Sequence, residues 1–191
     1  MIGPPQLIDM GQGGAMARCL MTEEIRLAKS LSHEEDQWLF YWEPDVFGLD
    51  PYKFEWRLEN DWHFLMYSDG QLVSHVGVVE EVVTVAEQQV TVAGIAAVVT
   101  LPKAQGKGYA HKLLKEATTF MCRELKVAFG LLFCRPVLVS FYEPLGWQLV
   151  QEPVIIEQPS GKATAPVPVM VLPCRGQSWP SGTVKIASWP W

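Results

Sequence analysis

The chain has 191 residues, a formal net charge of −6, 49% hydrophobic residues and eight tryptophans, which is enough to bury one sizeable core and too apolar to stay unfolded. The surplus of acid argues against a nucleic-acid partner, and no run of apolar residues is long enough for a membrane-spanning helix. Four cysteines, Cys19, Cys122, Cys134 and Cys174, show no C-x-x-C spacing, which speaks against a zinc site or a disulfide framework and for a reduced, cytoplasmic setting.

Residues 1–20 have neither a basic start nor an apolar h-region, so they read as a flexible Gly/Pro-containing extension rather than a signal peptide. Residues 21–191 read as one domain. Glu24 to Lys29 is an expected strand. Ser32-His-Glu-Glu35 is a capping box ahead of an amphipathic helix that should run to about Glu43. Pro44 to Pro51 is a loop, and Tyr52 to Glu59 is a candidate second short helix. Trp62 to Tyr67 and Leu72 to Val85 flank Asp69-Gly70, a strong hairpin turn. A second hairpin, turning at Glu87-Gln88, leads into Gln89 to Thr100. A helix follows from about Lys107 to Arg123, then a buried strand from Val127 to Cys134. A short helix over Val137 to Leu145 is ended by Gly146. Trp147 to Val150 is a strand and Gln151 to Pro166 a Pro/Ser/Gly connection. Val167 to Leu172 is a strand, and Pro180-Ser-Gly182 turns into a last one, Thr183 to Ser188. There is no internal repeat.

The most informative stretch runs from Thr100 to Lys115. It carries four lysines and no acid, and it joins a β-branched strand to a helix through Gln105-Gly-Lys-Gly108. A small, basic, Gly-rich turn that opens a helix holds phosphate, because its N–H groups converge and the helix N-terminus adds partial positive charge. The spacing is not that of a Walker loop, since Gly106-Lys107 is followed by Gly108 rather than Ser or Thr. It is not a dinucleotide fingerprint either, since the third Gly is His111. Gln105-x-x-Gly108-x-Ala110 instead resembles the pyrophosphate loop of the GNAT N-acetyltransferases. A second segment agrees: Tyr142-Glu143-x-x-Gly146-Trp147 is similar to the family's sequence after its fifth strand, and Tyr142 lies 32 residues beyond Ala110. Arg135 and Leu138 depart from the Asn and small residue usual there. Asp69 to His75, Ala97 to Gly108 and the final Trp189-Pro-Trp191 further resemble the aminoglycoside 2'-N-acetyltransferase branch.

The resemblance implies an α/β fold, with a central, mostly antiparallel twisted sheet and helices on both faces. It also implies that acetyl-CoA is the acetyl donor. Val98, Val99, Thr100, Gln105, Gly106, Lys107, Gly108, Tyr109 and Ala110 are the implied contacts. The backbone of Val98 and Thr100 would take pantetheine, and the turn the pyrophosphate. Acetyl transfer by direct attack in a ternary complex needs a donor for the oxyanion, an acid for the leaving thiolate and a route for the amine's proton. Tyr142 is the expected acid, since a phenol pKa of roughly 10 lies near a thiol's of roughly 8.5. The family's base, a Glu on the fourth strand, aligns with Ala96. A turn at Glu87-Gln88 sets Glu80 opposite Ile95 and Glu81 opposite Gly94, which makes these two carboxylates the candidate replacements. The alternative for both is a surface charge. His75 reads as a hydrogen-bonded hairpin residue and His111 as a solvated helix residue or a phosphate contact. Trp38, Trp42 and Trp56 read as core or as cleft wall. Pro190 stiffens the approach to Trp191, whose carboxylate would lie in the acceptor site or against the sheet.

The expected function is acetylation of a primary amine on a small molecule, with an aminoglycoside-like acceptor in view. Neither nucleic acid nor membrane is expected as a partner, and a homodimer is left open. Two alternatives stand beside it: acetylation of a protein or peptide amine by the same fold, and CoA binding with little catalysis.

Overall fold

The computed structural model describes residues 22–48, 52–57 and 59–191; the expected extension over residues 1–20, and Cys19, lie outside them. Ten strands form one sheet among the described residues. At its centre are β3 (Gln71–Val85) and β4 (Gln88–Thr100), an antiparallel hairpin. The other edge of β3 is shared. Its first half pairs with β2 (Trp62–Ser68), which pairs in turn with β1 (Glu23–Ala28). Its last residues pair with β10 (Val184–Ile186), which continues through β7 (Val154–Gln158) to β8 (Gly161–Thr164). Where β2 gives way to β10, Asp61 bridges the gap: its N–H donates to the Val78 carbonyl at 2.9 Å, and its Oδ2 accepts from the Glu80 N–H at 2.8 Å. On the far side, β4 lies parallel to β5 (Phe129–Phe133), followed by β9 (Val169–Pro173) and β6 (Gln148–Leu149).

A parallel β4–β5 pair needs a crossover, and α2 (Tyr109–Arg123) supplies it. Its Tyr109, Leu113, Leu114, Ala117 and Met121 recur at helical spacing and are buried against one face of the sheet. Each large apolar side chain so buried contributes about 1.5–3 kcal/mol as an upper estimate. The other face carries α1 (His33–Phe40), whose Leu39 packs with Leu65, Leu72 and Val99. The capping box forms as read: Glu35 N–H donates to Ser32 Oγ at 3.2 Å and Ser32 N–H to Glu35 Oε2 at 2.8 Å. The Asp69-Gly70 turn also forms, with both residues at positive φ, 50° and 76°.

Five expectations are corrected. Helix α1 ends at Phe40, not near Glu43. Residues 53–57 carry no helix. The β3–β4 turn is Ala86-Glu87, one residue earlier than expected, with φ of 45° and 75°. The reason is tertiary: the Ala86 N–H donates to the Thr183 carbonyl at 3.3 Å, and Gly182 passes so close that a Cβ there would lie 2.5 Å from the Ala86 Cβ. Residues 151–166 are not an irregular connection but hold the β7–β8 hairpin. Finally, Cys122, in the last turn of α2, and Cys174, just past β9, form a disulfide across 52 residues. Cys134 is a buried free thiol. The segment after β5 is helical as expected, but as two 3₁₀ turns around a short α3 (Val139–Tyr142), ended by Gly146 at φ 91°.

Candidate active site between strands β4 and β5

Strands β4 and β5 pair only over Val92–Ile95 and Phe129–Leu132. Beyond Ile95 the two strands part, and the gap opens into a cavity of about 450 Å³, within the range of small-ligand sites. The parting coincides with a bulge. Gly77 on β3 faces Ala96, but His75 faces Val99, so Ala97 and Val98 oppose the single residue Val76. Ala97 sits at φ 46°, a left-handed conformation that costs a non-glycine residue on the order of 1–3 kcal/mol. Its carbonyl leaves the ladder and meets His75 Nδ1 at 2.8 Å. A carbonyl only accepts, so Nδ1 of His75 carries the proton.

Ala96, Ala97 and Val98 line the cavity from β4, Cys134 and Arg135 from the end of β5, and Tyr142 from α3. Tyr142 is 4% exposed, and its ring packs against Phe141 and Trp147. Burial, seconded by Cys134, pushes its phenol well above the ordinary value, so it stays protonated throughout the working range. Burial likewise lifts the Cys134 thiol to about 11. On the α1 side, Trp191 lies over Gly94, where a Cβ would come within 2.1 Å of its Nε1, and its ring meets Phe133 edge-on at 5.3 Å. Trp56 lines the same wall, whereas Trp38 and Trp42 are 59% and 39% exposed and lie outside it. Arg135 is partly buried, its Nε has no partner, and its guanidinium reaches the loop at Gly48.

At the mouth of the wedge, β4 ends in Thr100. Gln105 Nε2 donates to the Thr100 carbonyl at 3.0 Å, and Ser74 Oγ donates to the Val99 carbonyl at 2.8 Å and lies 2.7 Å from Thr100 Oγ1. The Val99 side chain turns into the α1-side core. Gly106 and Gly108 have φ of 76° and 80°, and no atom beyond the adjacent residues lies within 4 Å of where either Cβ would stand. The turn is exposed, and its glycine conformations leave room for a diphosphate group, at the N-terminus of a 15-residue helix. Lys103 and Lys107 flank it, and neither is in an ion pair among the described residues; Lys112 is paired with Glu23. Tyr109 is buried, its hydroxyl donating to Ser68 Oγ at 3.0 Å, and Ala110 begins the helix behind it. His111 stays exposed, edge-on to Phe141 at 4.7 Å.

The two carboxylates expected near the base position do not reach the cavity. With the turn at Ala86-Glu87, Glu80 faces Ala93 and Glu81 faces Val92, not Ile95 and Gly94. Glu80 is exposed; Glu81 accepts from Ser188 Oγ at 2.9 Å and pairs with Arg57 at 3.6 Å. The residue that sequence reasoning passed over is His63 on β2. It lines the cavity, is 8% exposed, and its Nδ1 lies 3.0 Å from His75 Nε2. Burial lowers the pKa of His63, with Glu35 and Asp36 on α1 opposing the shift. Burial takes that of His75 down to about 3 against its bond to Ala97.

A family model described as an acetyltransferase (GNAT) domain matches residues 25–150. The chain belongs to that family. It is an acetyl-CoA-dependent N-acetyltransferase, and its mixed α/β sheet is the acyl-CoA N-acyltransferase fold. Among solved structures, the GNAT protein YhbS of Escherichia coli, crystallised with CoA, is 18% identical over 87% of this chain and 91% of its own, with a TM-score of 0.56. A GNAT acetyltransferase of Brucella melitensis in complex with acetyl-CoA is 17% identical over 84% and 94%, with a TM-score of 0.53. A probable N-acyltransferase of Enterococcus faecalis, at 21% identity and a TM-score of 0.49, matches 66% of this chain, which spans 32% of that longer protein. No curated protein sequence matches this GNAT chain.

Proposed function

We propose that this acetyltransferase transfers the acetyl group of acetyl-CoA to the primary amine of a small, largely apolar molecule, by direct attack in the wedge between β4 and β5. One observation supports the choice of acceptor above the others: the α1 side of the cavity is walled by aromatic rings, among them Phe40, Phe47, Trp56, Phe133 and Trp191, while its charged residues, Asp36 and Asp45 against Arg57 and Arg135, balance. A polycationic aminoglycoside calls for an acid-lined site; an aromatic or aliphatic amine fits this one.

The residues divide the work. Gly106, Lys107, Gly108 and the first N–H groups of α2 hold the pyrophosphate, with Gln105 fixing the turn to the end of β4. Tyr109 and Ala110 form the base of that turn. The backbone from Val98 through Val99 to Thr100 takes the pantetheine arm, and the bulge at Ala97 presents main-chain groups to the thioester oxygen. When bound, acetyl-CoA supplies an activated acyl carbon and a thiolate leaving group. Tyr142, held protonated by burial, donates to the departing sulfur. Arg135, whose buried Nε has no partner among the described residues, suits an anionic oxygen on the acceptor.

The test is CoA release with a panel of arylamines, alkylamines, amino acids and aminoglycosides. Turnover of aromatic and aliphatic amines, strongest where a carboxylate accompanies the amine, is expected. A preference for aminoglycosides would overturn the assignment of acceptor.

A further inference from the structure

We infer that His63 is the general base for the acceptor amine, with His75 as the residue that positions it and fixes its tautomer. This rests on the acetyltransferase reading above and supplies the base that Ala96 and the displaced Glu80 and Glu81 leave open.

Hydrogen-bond logic carries the assignment. The Ala97 carbonyl can only accept, so His75 donates through Nδ1. A neutral imidazole has one donor, so His75 Nε2 is an acceptor. The group 3.0 Å from it, His63 Nδ1, must therefore be the donor. That leaves Nε2 of neutral His63 with a bare lone pair. No hydrogen bond to it forms among the described residues, and the ring borders the same cavity as Tyr142. The backbone thus dictates, through one ring, the protonation state of the next.

Position agrees with role. His63 and His75 lie on the α1 face of the sheet, with Leu65 and Leu39, whereas Tyr142 belongs to the core on the α2 face. The cavity joins the two faces where β4 and β5 part. An amine between them loses its proton on one side while the thiolate gains one on the other. In balance, the amine nitrogen bonds to the acyl carbon as the C–S bond breaks. The N–H proton passes to His63 Nε2, and the sulfur takes the Tyr142 proton. Solvent then returns a proton to Tyr142 and removes one from His63. The protonated base is not left alone. Glu35 and Asp36 face it from α1, Glu35 held ionised by Ser32, Tyr67 and Arg26. Asp45 from the loop after α1, Arg57 from the segment before β2, and Arg135 from the end of β5 share the cavity. Within the dyad, His75 takes no charge, so only one positive charge forms. Because burial holds His63 below the ordinary histidine range, it is a free base at neutral pH.

Two measurements decide the matter. Long-range proton–nitrogen NMR of the histidine-labelled protein without ligand should show His75 protonated on Nδ1 and not titrating down to pH 4. It should show neutral His63 protonated on Nδ1, with its second proton taken below pH 6.5. Neutral His63 protonated on Nε2 would overturn the assignment. In kinetics, His63→Gln should lower kcat/KM for the amine by roughly 10²–10⁴-fold, with acetyl-CoA affinity unchanged. His75→Leu should move the acid limb of kcat/KM to lower pH, since the imidazolium loses its hydrogen-bond acceptor. His75→Gln, whose amide donates to Ala97 and accepts from His63, should keep that limb in place. Unchanged kcat/KM in His63→Gln would sink the base and leave the acetyltransferase reading standing. A wild-type protein that acetylates no amine would count against that reading instead, and the NMR result would still decide the tautomers.

Discussion

Gly108→Asp probes the donor site with little collateral effect. Gly108 is the N-cap of α2 at φ 80° and ψ 9°, with no side-chain cap bond and no atom beyond the adjacent residues within 4 Å of where a Cβ would stand. Asp tolerates this left-handed conformation better than most residues, and a carboxylate at a helix N-terminus is mildly stabilising. Folding stability should therefore change by no more than about 1 kcal/mol. Binding is different. On the proposed placement the new charge stands beside the pyrophosphate, and two unit charges about 5 Å apart at an effective dielectric of about 20 repel by roughly 3 kcal/mol. Allowing for screening, a cost of about 2–3 kcal/mol corresponds to a roughly 30- to 150-fold rise in the acetyl-CoA Kd. Calorimetric titration reads the affinity, and thermal unfolding confirms the fold. An affinity within about threefold of wild type, in a variant with unchanged Tm, would refute the placement of the pyrophosphate over this turn.

Tyr142→Phe should lower kcat by about 10²-fold, the low end for a general acid, because burial raises the phenol away from a thiol's pKa. The ring contacts to Phe141 and Trp147 remain, so acetyl-CoA affinity and Tm should hold. The same burial predicts no loss of activity from Tyr142 ionisation up to pH 10 in a rate profile. Arg135→Leu should raise KM for a carboxylate-bearing amine about tenfold or more and leave a simple alkylamine unaffected, since a charge-assisted hydrogen bond contributes about 1.5–3 kcal/mol. Burial alone would raise Glu35, but bonds from Ser32, Tyr67 and Arg26 hold it at about 2 when folded, against 4.5 ordinarily. Its contribution is thus present above about pH 4.5 and lost as pH falls toward 2. Glu35→Gln should cost about 1–2 kcal/mol at pH 7 after solvent screening, with the gap to wild type closing by pH 2 in denaturant titrations.

Local chemistry made part of this molecule legible. The Ser32/Glu35 capping box, the Asp69-Gly70 turn and the glycine turn before α2 each carry their own backbone instruction, and each appears where its residues stand. The β7–β8 hairpin was obscured by Pro153, Pro159 and Pro166, although Val154-Ile155-Ile156 is a β-branched run. The Ala86-Glu87 turn lacks the residues that positive φ favours and is set by the approach of Gly182. Cys122 and Cys174 meet only because α2 and β9 close around the same core.

The histidine pair shows the limit most clearly. Continued from the Asp69-Gly70 turn, the β2–β3 register of Ser68 with Gln71 would set His63 opposite Val76, on the face away from His75. A bulge between Met66 and Tyr67 shifts the register by one, sets His63 opposite Gly77 and brings both rings to one face. No residue in that stretch announces the bulge. Likewise Ala96 reads as a missing carboxylate, and the base proposed in its place, His63, stands on β2, which no residue near Ala96 indicates.

Direct transfer of acetyl to an amine is tested most directly by incubating the protein with acetyl-CoA, with and without an arylalkylamine, and following intact protein mass and free CoA together. The account predicts an unmodified protein throughout, CoA released only when the amine is present, and one N-acetylated amine formed per CoA. CoA release without amine, matched by acetyl groups accumulating on the protein, would contradict it.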